Sequence, residues 1–88
     1  AEQARTAAMQ LADDEIAAAQ QAVVVAEQAV AVARETVTFR EFNATMWQGL
    51  VTNRIGAGVE LENARQQLGI AKAELLAREA AVQGSKAQ

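Results

Sequence analysis

Side chains able to do chemistry are few in this sequence and badly placed to act together. The one acidic cluster is Asp13-Asp14-Glu15. Paired carboxylates can serve as general acid and base, and a set of converging oxygens can hold calcium or magnesium. Both tasks need the oxygens to converge, yet consecutive helical residues diverge by roughly 100°. The cluster therefore reads as a solvated face. The chain has no histidine and no cysteine. Their absence removes the commonest metal ligand and acid–base group and excludes a disulfide framework. Gly56-Ala57-Gly58 lacks the rest of any nucleotide-binding fingerprint. Asn43-Ala44-Thr45 fits the N-glycosylation acceptor pattern, which arises often by chance. Together these readings point away from an enzyme, a metal or a cofactor, and toward a function exercised by assembly.

The elements must then be read for how they pack. Eighty-eight residues allow one domain at most. Hydrophobic residues make up 51% of the chain, but alanine is the largest part of that count, with two Phe, one Trp and no Tyr. Alanine buries little area, so this inventory suits helices that approach closely along a long, thin contact. The net charge is −3, with seven acids against three bases up to Ala44 and four acids against five bases beyond it. No basic stripe interleaved with aromatics is present, which argues against nucleic acid as a partner. The longest uncharged runs, Ile16–Ala26 and Phe42–Asn53, are interrupted by glutamine or asparagine. Neither approaches the ~18 consecutive apolar residues of a membrane helix, so no membrane-spanning segment is expected.

Helical periodicity organises nearly everything else. Before Gly49 there is neither proline nor glycine, and Ala, Gln, Glu and Arg are good helix formers. A first helix is expected over about residues 3–47. Met9, Ile16, Val23, Val30 and Val37 recur every seven residues, and Ala12, Ala19, Ala26 and Ala33 stand three residues after the first four. Large residues alternating with alanine make a seam whose partner backbone can come close. A second row, Leu11, Ala18, Val25, Val32, Phe39 and Met46, has the same period, with Ala22 and Ala29 beside it. One hairpin needs only one apolar seam, so two rows predict neighbours on two sides. Within this helix Thr36-Val37-Thr38-Phe39 would favour strand in isolation, and the helical context on both sides is expected to prevail.

The tip is expected over residues 48–58, because Gly49, Gly56 and Gly58 fall there beside the single tryptophan, Trp47. Thr52 or Asn53 could cap the returning helix, expected over about residues 59–83. Its seam is Leu61, Leu68, Leu75 and Val82, with Ala64 and Ala71 three residues on and Arg78 breaking the row. Glu74 and Arg78 stand at the favourable i,i+4 spacing, and Gly69 implies close approach by another helix. Trp47, Leu50, Val51 and Ile55 either close over the hairpin core or form an apolar docking surface. The fold class is thus all-α: a long antiparallel helical hairpin, a coiled coil that assembles with other helices into a bundle, barrel or tube.

Trp47-Gln48-Gly49-Leu50-Val51-Thr52, followed by Val59-Glu60-Leu61-Glu62-Asn63-Ala64-Arg65-Gln66-Gln67-Leu68, resembles the periplasmic hairpins of outer-membrane efflux factors of the TolC type. Gly49, Leu50, Val51 and Thr52 match that family's turn, and Leu61, Asn63, Ala64 and Arg65 match its returning helix. The resemblance implies a trimeric helical tunnel for efflux transport, a periplasmic or secreted location, and tips that engage a periplasmic adaptor protein. The partner-binding residues would then be Trp47, Gly49, Leu50, Val51, Thr52 and Ile55. The chain departs from the family in the extra residues after Thr52 and in having no room for a β-barrel. Trp47-Gln48-Gly49 also resembles the motif of the small secreted WXG-type hairpins, which form side-by-side dimers, although their C-terminal aromatic signal is missing. A self-assembling hairpin that builds a tube or filament satisfies the two rows equally well. Every alternative is a homo-oligomer.

Overall fold

The computed structural model describes residues 1–54 and 58–87. They form two helices, α1 (Glu2–Thr52) and α2 (Gly58–Ala87), folded back against each other as an antiparallel hairpin. The molecule is a rod of 80 × 14 × 13 Å. Helix α1 accounts for that length by itself, since 51 residues rise about 77 Å. The arms are unequal: α2 has 30 residues, so α1 runs on past it. All of residues 1–22 are exposed, and Val23 is the first residue that α2 shields.

The hairpin is joined along one row. Val30, Ala33 and Val37 of α1 are buried, as are Leu61, Ala64, Ala71 and Val82 of α2. Val23, Ala26, Ala44 and Trp47 are half-buried on the same face of α1, and Leu68 and Leu75 on α2. The first row of α1 is therefore the intramolecular seam, a choice the two equivalent periodicities left open. Register is pinned at two points. Near the tip the Arg65 Nη2 donates to Gln48 Oε1 at 2.6 Å. Toward the open end Val30 and Val82 share a groove. Counting between these points brings Val37 level with Leu75 and Trp47 level with Arg65. No polar side chain is buried among the described residues, so burial of apolar surface holds the hairpin together.

Local propensity yields to this context where the two conflict. Thr36 and Thr38 lie within α1, and their hydroxyls donate to the Val32 and Arg34 carbonyls, both at 3.1 Å. Each β-branched residue thus satisfies its own polar group without leaving the helix.

The end of α1 departs from expectation. Residues 48–52 belong to the helix and not to the tip. Gly49 is accommodated there at a cost of about 1 kcal/mol relative to alanine. Thr52 is fixed by donating to the Gln48 carbonyl at 2.8 Å. Asn53 closes α1 as its C-terminal cap instead of opening α2: its backbone N–H and its Nδ2 both reach the Gly49 carbonyl, at 3.1 and 2.9 Å. Arg54 then takes a left-handed conformation, φ 58°, and its N–H donates to the Val51 carbonyl at 2.9 Å. That is the bond of a helix-terminating αL residue, a place usually held by glycine. The glycine-rich stretch was the right signal for a helix end, and an arginine holds the left-handed position that ends α1. Gly56, and with it Ile55, lies outside the described residues.

Gly69 is exposed, and a Cβ built on it would meet nothing within 4 Å. Close approach within the hairpin is therefore not its reason. The Glu74–Arg78 pair forms as expected, at 3.4 Å, with both side chains about half exposed; such pairs contribute only ~0.3–0.5 kcal/mol.

Two substitutions test this description by thermal melting. Arg54→Gly relieves the left-handed strain and should stabilise by about 0.5–1 kcal/mol, raising Tm by several degrees. Gly69→Ala should stabilise α2 by about 1 kcal/mol. No gain from Arg54→Gly would mean that the described end of α1 is not the one adopted in solution.

Candidate functional site

The hairpin has two unlike flanks, and the difference begins in the heptad. On one side of the seam α1 carries the polar row Gln20, Glu27, Arg34, Glu41 and Gln48. Glu27 and Arg34 meet Glu79, Gln83 and Lys86 of α2 across a polar groove. On the other side of the seam stand Ala22 and Ala29, and beyond them the second row. Here the grooves between the helices are lined by Ala18, Ala22, Val25, Ala29, Val32 and Thr36 of α1 against Ala71, Glu74, Arg78 and Ala81 of α2. Arg78, at the break in the seam, lines both of these grooves.

The second row has no partner in the hairpin. Leu11, Val25, Val32 and Phe39 are 61%, 54%, 63% and 60% exposed, and Met46 is 42% exposed. At the open end Met9 and Ile16 are equally uncovered, since α2 does not reach them. A contiguous strip of this length marks an interaction surface in a protein handled in water.

The tip is less exposed than its composition implied. Trp47, Leu50 and Val51 are half-buried, while Gly49 and Thr52 are exposed. Trp47 continues the row of Ala26, Ala33 and Arg40, so helical phase directs it toward the seam. On α2 the seam position nearest to its level is Ala64, the most deeply buried residue of the core at 3% exposure. Trp47 is thus half-buried on the face of the seam, with part of its surface left uncovered.

The described residues contain exposed apolar positions that the row analysis did not single out. Phe42 is 70% exposed, beside Phe39 on a groove wall that also includes Thr38. It occupies the outer line of Asp14, Gln21, Gln28 and Glu35, where a polar residue was due. Its signal was its position three residues after Phe39, one helical turn away. Arg40 rests against the Phe39 ring, its guanidinium carbon 5.6 Å from the ring centroid, a modest cation–π contact at an exposed site. On α2, Val59, Ile70 and Leu76 are 69%, 61% and 68% exposed.

No arrangement with chemistry emerges among the described residues. Asp13, Asp14 and Glu15 are exposed, and Asp14 accepts a hydrogen bond from Gln10 Nε2 at 3.1 Å. No group of three or more His, Cys, Asp or Glu there could hold a metal ion. Asn43, of the acceptor triplet, is half-buried inside α1. By length and average composition α1 is long and apolar enough to cross a membrane, in contrast to the reading from uninterrupted runs. The two measures differ because alanine and valine raise the average, while Gln20, Gln21, Glu27 and Gln28 interrupt the run. No protein family, curated protein or solved structure compared with this chain gives a match.

The position of Trp47 yields a prediction. Trp47→Ala removes a large half-buried side chain from the seam face, and should cost roughly 1–2 kcal/mol and lower Tm by about 5–15 °C while the chain stays helical. A melting curve unchanged by the substitution would mean that Trp47 does not pack on the seam.

Proposed function

We propose that this chain is a non-enzymatic structural hairpin that works by assembling with copies of itself through the outer row of α1. The observation that carries this reading is the exposure of Leu11, Val25, Val32 and Phe39 along one straight line of a rod whose own core is narrow. Each such side chain contributes ~1.5–3 kcal/mol when fully buried, so a few of them outweigh any surface charge pair. The acids and amides of the chain lie dispersed on solvated faces, which supports an assembly role over catalysis.

The finer reading is a helical wall around a tunnel, of the kind the efflux-factor resemblance implies, with a periplasmic adaptor at the tip. The two apolar rows of α1 support it, because a helix within a wall has neighbours on both sides. The turn match is weakened by the geometry, since Gly49, Leu50, Val51 and Thr52 are helical here. The contrast between flanks favours a second reading, a face-to-face dimer in which two apolar flanks close on each other and the polar grooves stay in water. That arrangement agrees with the WXG-type alternative.

A matched pair of double variants tests the assembly reading. Val30→Glu with Val37→Glu places charges on the seam and should abolish the cooperative melt. Val25→Glu with Val32→Glu should leave the helical signal and lower the sedimenting mass to that of a single chain at micromolar concentration. Native mass spectrometry of the unmodified protein separates the finer readings: a dimer supports the paired flanks, and a closed higher oligomer supports the wall. A stable monomer at micromolar concentration would sink both.

A further inference from the structure

The face of α2 turned away from α1 has a pattern of its own. Ile70, Ala73, Ala77, Ala80, Gly84 and Ala87 are spaced alternately by three and four residues, the spacing of a seam. All are exposed, and Leu76 beside them is 68% exposed. The charged residues of this segment, Lys72, Glu74, Arg78, Glu79 and Lys86, lie off that line. α2 therefore presents a second seam with no partner in the chain. Apart from Ile70 it is built of the smallest side chains, and Cβ atoms placed on Gly69 and Gly84 would meet nothing within 4 Å.

We propose that this outer face of α2 receives the outer row of α1 from a second copy of the chain. Three observations select that occupant. The first is area. A compact protein of this 9.3 kDa mass exposes about 5,000 Å², whereas this chain exposes 6723 Å². The excess is about twice the ~800 Å² that one partner contributes to a standard interface. Each copy thus has surface for two neighbours, one on α1 and one on α2. The second is size. Hairpins standing side by side without axial shift keep the register of the hairpin itself. Phe39 then meets Ala73 of the second copy, Val32 meets Ala80, and Val25 meets Ala87. Large side chains enter a face of small ones. The third is helical phase. The two seams of each helix lie roughly 110° apart on α1 and roughly 160° apart on α2. Both bends turn toward the apolar flank, so successive hairpins curl the same way. The contact joins unlike surfaces, α1 to α2, and so propagates from copy to copy instead of closing a two-fold dimer. This inference rests on the assembly reading and adds its second surface.

Because the chain has no cysteine, introduced thiols give a clean test. The double variant Val32→Cys with Ala80→Cys should yield a ladder of disulfide-linked multimers on mild oxidation, while each single variant stays a monomer on a denaturing gel. Both positions are exposed on different helices of one chain, and disulfide formation requires Cβ atoms ~3.5–4.5 Å apart. Ala73→Phe should weaken assembly on the order of a hundredfold without lowering the melting temperature of the hairpin, and adding Phe39→Ala should restore it. Dimers of the Val32→Cys single variant would overturn the pairing in favour of α1 against α1, leaving the assembly reading intact. An unmodified chain that sediments as a monomer would overturn both. So would one that floats with phosphatidylcholine–phosphatidylglycerol vesicles and does not self-associate.

Discussion

Everything in this molecule depends on how closely two helices can approach when every second layer of their seam is alanine. Ala33, Ala64 and Ala71 are among its buried residues. An alanine layer draws the helix axes together and lets the neighbouring Val30, Val37, Leu61 and Val82 make full contact. The same choice limits how much apolar area one seam can remove from water. Among the described residues one side-chain hydrogen bond joins the two helices, Arg65 to Gln48 near the tip. The remaining cohesion is burial spread along the rod. Such a contact gains strength by length and by repetition in further copies, and it has no deep centre.

The thin seam explains the division of labour around each helix. Had the second row of α1 been polar, the hairpin would be a lone coiled coil with a solvated exterior. It carries valine, leucine and phenylalanine instead, so α1 is apolar over about half its circumference. On the opposite flank Glu27 and Arg34 face Glu79 and Lys86 across a polar groove. Any neighbour must come from the other side. The hairpin thereby gains an orientation relative to its partners from composition alone, with no specific polar contact needed to set it.

The two parts of α1 are held by different forces. From Val23 onward the helix is fastened by α2. Residues 1–22 are exposed all round, and only the helix's own hydrogen bonds and alanine content sustain them in the isolated chain. Regions with few buried contacts open at low free energy, so the open end is where the hairpin is most responsive to a partner that covers Met9 and Ile16.

How much of this was legible in the sequence varies by feature. The helix type, the two seven-residue rows, the returning Leu/Ala seam and the Glu74–Arg78 pair are written in local spacing, and spacing is what side-chain sequence records directly. Their assembly into an all-α hairpin followed, because glycine clusters between helices admit few alternatives. The sequence could not say which row of α1 faces α2. Both rows have equal period and similar composition, and only the phase of α2 across the gap breaks the tie. Nor could it assign the turn. Gly49 is an obvious break by propensity, but Thr52 and Asn53 satisfy the helix end by local hydrogen bonds and carry it past the glycine to Arg54. Trp47 shows the same limit: from composition it marks a tip, and only the hairpin shows it half-buried on the face of the seam. The outer face of α2 was present in the spacing of Ile70, Ala73, Ala77, Ala80 and Gly84. It became a surface only once α1 was seen to occupy the other side.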